Sequence, residues 1–91
     1  MTKTERLRSA YQDLKFGKII EFIPDEGKHK TKCGCRCWIS KGNFDKRRYI
    51  SWSYFGSSAK RMSLHDLRWI AKNIGDCTTY EYKIVNSVYG D

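Results

Sequence analysis

The sequence predicts a single α+β domain with a small antiparallel sheet of three to four strands, one main helix in the C-terminal half and a short N-terminal helix. Three observations carry this expectation. Residues Lys28 to Ile39 alternate with a period of two, as a strand does. Leu64, Leu67, Ile70, Ala71 and Ile74 repeat at helical spacing behind Ser63, whose partner Asp66 completes a variant of the capping box. Other short runs rich in β-branched residues or rings are bounded by glycine or proline. The chain has 91 residues, and a second core would leave each half below about 50, so residues 1–91 read as one domain. Three Trp, six Tyr and four Phe supply a core without help from disulfides.

The elements follow in order. Leu7, Ala10, Tyr11 and Leu14 place an apolar stripe on a helix over Thr4 to Leu14, capped by Thr2 or Thr4 and ended by Gly17. Ile19 to Ile23 is short, β-branched and stopped by Pro24, which predicts a buried strand. Asp25-Glu26-Gly27 is a turn. In the next strand His29, Thr31, Cys33, Cys35, Cys37 and Ile39 share one parity and turn inward. Lys28, Lys30, Lys32, Gly34, Arg36 and Trp38 share the other and turn to solvent. Lys41-Gly42-Asn43 makes the following turn, and Tyr49 to Phe55 a third strand, completing a meander. Gly56 to Arg61 is a polar connection. The main helix runs from Ser63 to about Asn73, with His65, Arg68 and Lys72 outward and Gly75 as its stop. Thr78 to Val85 alternates again and returns to the sheet beside an earlier strand.

Charge and composition bound the function. Eighteen Lys and Arg against ten Asp and Glu leave a net charge of +8, which favours nucleic acid, an acidic protein face or an anionic surface as partner. No run approaches the ~18 apolar residues of a membrane span. Met1 to Lys18 is charged and has no signal-peptide core. These features predict a soluble cytoplasmic protein without a membrane partner.

Cys33, Cys35, Cys37 and Cys77 fit two chemistries in a reducing compartment. Small thiols lining the inner face of a strand are the preferred reading, with no cofactor. The alternative is a structural zinc held by these four cysteines, with His29 as a substitute ligand. Residues two apart on a strand lie about 6.5 Å apart along it, so a bend at Gly34 would be needed to bring Cys33 and Cys35 to one ion. Phe16-Gly17-Lys18-Ile19 followed by Cys35-Arg36-Cys37 resembles small phage-type domains in which a glycine-led strand precedes a Cys-x-Cys-Gly hairpin. The second Cys-Gly-Cys of such domains is missing, and the resemblance assigns no residue a role.

The basic residues gather between positions 28 and 48. Lys28, Lys30, Lys32, Arg36, Lys41, Lys46, Arg47 and Arg48 oppose only Asp45. Cations on one strand face would stand about 6.6 Å apart, near the spacing of phosphates in an extended backbone. Trp38 and Tyr49, with Trp52, offer rings on which bases stack. The expected function is a non-catalytic module that grips a nucleic-acid backbone or nucleoprotein through Lys28, Lys30, Lys32, Arg36, Trp38, Lys46, Arg47, Arg48 and Tyr49. The alternative is a small inhibitor of a nucleic-acid enzyme. The chain's size and composition are similar to those of anti-CRISPR proteins, whose setting would be the host cytoplasm if the chain is phage-encoded. Catalysis is not expected: no phosphate loop, nucleophile elbow or carboxylate pair is present, and His65 and Asp66 diverge by about 100° on one helix.

Overall fold

The computed structural model describes residues 1–27, 35–53 and 57–88. Helix α1 (Lys3–Lys15) begins at Thr2, whose hydroxyl accepts from the Glu5 backbone N–H at 3.1 Å while the Glu5 carboxylate accepts from the Thr2 N–H at 3.2 Å. This reciprocal capping box settles the start at Thr2 rather than Thr4. The Thr2 backbone N–H, followed by its hydroxyl, holds the Glu5 carboxyl below its ordinary pKa. At the other end Gly17 takes a left-handed φ of 89°. The Gly17 and Lys18 N–H groups bond back to the Leu14 and Asp13 carbonyls at 2.9 and 3.0 Å. Only such a turn satisfies the last carbonyls and feeds the chain at once into a strand.

The strands are β1 (Ile19–Phe22), β2 (Cys35–Lys41), β3 (Arg48–Ser53), β4 (Ser57–Arg61) and, after helix α2 (Leu64–Asn73), β5 (Tyr82–Val85). They form one five-stranded sheet in the order β4-β3-β2-β1-β5, with every neighbouring pair antiparallel. The α+β class and the two helices are as expected, and the last strand does return beside an earlier one, β1. The sheet has one strand more than the three to four anticipated. That strand is β4, which was expected to be a polar connection. As an edge strand it pairs through its backbone with β3 alone, and its exposed Ala59 and Arg61 show why no buried-strand pattern marks it.

Two further boundaries differ. Lys41 ends β2 instead of opening the turn, and β5 begins at Tyr82 rather than Thr78. Asp76 and Tyr80 take left-handed φ values of 46° and 60°, and Asp25 accepts hydrogen bonds from the Thr78 N–H at 3.0 Å and its hydroxyl at 2.7 Å. These bonds fold residues 76–81 into a bend that apolar alternation does not register. The N-terminal part of the expected Lys28–Ile39 strand lies outside the described residues, as does the end of the strand expected to reach Phe55.

Both helices cover one sheet face. Leu7, Ala10 and Leu14 of α1 and Leu67, Ile70 and Ala71 of α2 bury against Ile20, Phe22, Cys35, Cys37, Ile50 and Trp52. The register places these strand residues side by side: Phe22 opposite Cys35, Ile20 opposite Cys37, Cys37 opposite Trp52. Ser63 caps α2 as expected, accepting from the Asp66 N–H at 3.1 Å. His65, Arg68 and Lys72 are exposed on its outer side. Among the described residues no helix is long and apolar enough to cross a membrane. Leu67→Ala removes a wholly buried side chain at the helix–sheet contact and is expected to cost about 2–5 kcal/mol in chemical denaturation; a loss below about 0.5 kcal/mol would show that α2 does not anchor the core.

Candidate functional site

Strand β2 lies at the centre of the sheet, and its two parities meet different chemistry. Cys35 and Cys37 point into the core and are buried. Arg36 points to the opposite face, as anticipated, but it is not turned to solvent: it is only 9% exposed. Its Nε donates to Glu21 at 2.8 Å and its Nη1 to the Ser87 carbonyl at 2.7 Å. Lys83 approaches the other Glu21 oxygen at 3.5 Å. The cause is topological, because β1 brings Glu21 directly opposite Arg36 and β5 brings Lys83 opposite Glu21, while the chain beyond β5 supplies the carbonyl. Arg36 therefore closes this part of the sheet. Removing one member of a buried pair strands the other charge, so Arg36→Ala is expected to lower stability by about 3–5 kcal/mol in urea denaturation, and a loss under about 1 kcal/mol would deny the pair its structural role.

Lys28, Lys30, Lys32, His29 and Cys33 lie outside the described residues. The remaining members of the anticipated binding set converge on β2, β3 and the hairpin that joins them. Trp38 and Tyr49 stand on the face away from the helices, Trp38 opposite Ser51 and Tyr49 between Ser40 and Arg61. They are diagonal neighbours and both are half-buried. Ser40 and Ser51 share a hydrogen bond at 2.9 Å on the same face. Lys46, Arg47 and Arg48 are all exposed.

The hairpin tip is tightly organised. The Gly42 N–H donates to the Arg47 carbonyl at 2.9 Å, and the Asp45 carboxylate accepts from the Arg47 N–H at 3.0 Å and from the Tyr49 hydroxyl. The Tyr49 hydroxyl first, then the Arg47 N–H, holds the Asp45 carboxyl below its ordinary pKa; the same bond pushes the Tyr49 phenol up. Asp45 folds back so far that a Cβ at Gly42 would collide with its carboxylate and crowd the Tyr49 ring at 3.2 Å. Lys46 completes the turn with a left-handed φ of 57°, a conformation that costs a non-glycine residue about 1–2 kcal/mol.

Nothing in the sequence singles out Phe44, Lys15 or Arg61 here, nor shows how Lys41 and Arg48, both expected in the basic cluster, would be paired. Phe44, at the tip, is 100% exposed. Lys41 and Arg48 face each other across the strands on the helix side, a like-charged pairing that is unfavourable by itself. Arg48 offsets this in part by donating to the Lys15 carbonyl at 3.0 Å, where the helix end carries partial negative charge. Lys15, whose ammonium lies 5.3 Å over the Tyr11 ring, thus joins the same end of the molecule, whereas the Lys18 ammonium pairs with Asp13 at 3.5 Å. Arg61 adds a side chain 88% exposed, 3.8 Å from Asp66. Phe44 carried no periodic signal because it belongs to a turn; the others are joined by register and helix docking, which the linear order hides. At the opposite end of the sheet a hollow of about 420 Å³ is lined by Asp25, Glu26 and Glu81 with Pro24, Thr78 and Thr79. Arg6 meets this acidic lining, donating to the Thr79 carbonyl at 2.7 Å and standing 3.9 Å from Glu81.

The described thiols Cys35, Cys37 and Cys77 are free and buried, and Cys77 donates to the Glu81 carbonyl at 3.4 Å. Among the described residues no three metal-binding side chains converge. His65 is exposed, whereas its neighbour Asp66 is buried and accepts from the Ser63 hydroxyl at 2.7 Å. Comparison with models of known families, with curated proteins and with solved structures found no match.

Burial above all, reinforced by the hydrogen bond with Cys35, pushes the Cys37 thiol well up; burial also raises Cys77. Because the folded state favours the protonated thiols, their contribution is complete below the unfolded thiol pKa of about 8.5 and is lost as pH rises beyond it. The denaturation midpoint of the parent chain is expected to fall more steeply between about pH 8.5 and 10 than that of Cys37→Ala, and parallel pH profiles would contradict this.

Proposed function

We propose that this chain is a non-catalytic binding module that grips a nucleic-acid backbone with the β2–β3 hairpin and the half-buried rings beside it on the face away from the helices. The observation that carries the reading is the one-signed hairpin: Lys41, Lys46, Arg47 and Arg48 are exposed, and the lone carboxylate among them, Asp45, is bound by its own turn. Lys15 and Arg61 extend the basic surface, and Trp38 and Tyr49 give it rings. Like charges opposite one another, as at Lys41 and Arg48, cost stability, and a polyanion offsets that repulsion. Arg36 is excluded from the contact set because Glu21 and the Ser87 carbonyl hold it. The buried free thiols fit a cytoplasmic setting.

Four to six phosphate contacts predict a log–log salt slope of about −3 to −5 for oligonucleotide binding. Fluorescence anisotropy across a salt series checks this, and Lys46→Glu with Arg47→Glu is expected to weaken binding and flatten the slope by about 1.5. A flat salt dependence in the parent chain, or no change in the double variant, would reject the reading. Capture of a defined nucleic-acid-handling protein that survives nuclease treatment, without oligonucleotide binding, would favour the inhibitor alternative.

A further inference from the structure

Resting on that reading, we infer that Phe44 is a stacking residue for an unpaired base, so that the ligand is single-stranded nucleic acid. Phe44 is wholly exposed at a tip whose backbone is fixed on both sides, by the Gly42–Arg47 hydrogen bond and by the grip of Asp45 on the Arg47 N–H and the Tyr49 hydroxyl. The ring is thus held away from the core by the turn itself, and little ordering remains to be done on binding. Lys46 and Arg47 follow it within three positions, and Lys41 and Arg48 flank the base of the hairpin. An aromatic face between cations is the pairing that a base and its adjoining phosphates complement.

Magnitudes decide between single strand and duplex. Stacking one base on an aromatic side chain strengthens binding by about 5- to 100-fold. Wedging the same ring into a duplex first requires unstacking a base step, a penalty that matches or outweighs that gain. With one exposed ring at the tip, between the polar Asn43 and Asp45, the gain does not exceed that cost, whereas an unpaired base presents its face freely. An anionic lipid surface fits the cations equally, but interfacial insertion draws on a broad apolar face. The tip offers one side chain.

The test compares the parent chain with Phe44→Ala and Phe44→Trp on three probes at fixed salt: a single-stranded oligonucleotide of about 12 bases, the corresponding duplex, and vesicles containing phosphatidylserine. Phe44→Ala is expected to weaken single-strand binding by about 5- to 100-fold, to leave the duplex affinity and the salt slope unchanged, and to melt with the parent chain. Phe44→Trp is expected to retain binding, with additional tryptophan quenching relative to the parent on adding the oligonucleotide. Unchanged single-strand affinity in Phe44→Ala, or an equal loss on the duplex or the vesicles, would overturn the inference. A silent Phe44→Ala beside a parent that binds with the steep salt slope would remove the stacking role and leave the backbone reading standing. A parent chain that binds no oligonucleotide would remove both.

Discussion

An arginine buried in the middle of a sheet must be neutralised and hydrogen-bonded, and meeting that demand for Arg36 ties together three separate parts of the chain. Glu21 of β1 takes its Nε, the Ser87 carbonyl beyond β5 takes its Nη1, and Lys83 of β5 shares the Glu21 carboxylate. The desolvation of such a pair is expensive, which makes it a poor source of net stability. It does penalise alternatives: a one-residue slip of β1 against β2 would carry Glu21 to the core face and leave Arg36 without its counter-charge. The same slip would expose Ile20 and Phe22. Apolar burial and ion pairing therefore specify one register from opposite faces of the same strands.

That register also builds the basic end. Once Cys37 opposes Trp52, Lys41 must oppose Arg48, and α1, docked through Leu7, Ala10 and Leu14, brings its C-terminus to Arg48. The core can accept charge concentrated there because it lies beyond the last buried layer, at Ile39 and Ile50. Core and hairpin thus divide the structure, the one supplying rigidity and the other a charged, aromatic tip. A turn supported by paired strands tolerates exposed charges and a ring that the core would exclude.

Of the three cysteines on alternate positions, the two described, Cys35 and Cys37, sit in register with Phe22 and Ile20 as small core residues. Cys77 belongs to the same core, its thiol turned to the Glu81 carbonyl. Burial favours the protonated form of Cys37 and Cys77, and a protonated thiol is a poor nucleophile.

The helices, their caps and their buried stripes were legible in the sequence because helical periodicity and capping are local, each set within a few residues by backbone geometry. The inward parity of Cys35 and Cys37 was legible for the same reason, as was the basic character of residues 41–48. Strand β4 was not, because an edge strand held by backbone bonds needs no apolar pattern. The fate of Arg36 was not, because parity fixes which face a side chain takes but not what covers that face. Nor was the gathering of Lys15 with Arg48, or the isolation of Phe44 at a pinned tip. Local order determined the elements and the sign of the charge. Only the tertiary structure decided which cations are consumed by Glu21 and which stay available, because ion pairs and register join residues that are distant in the chain.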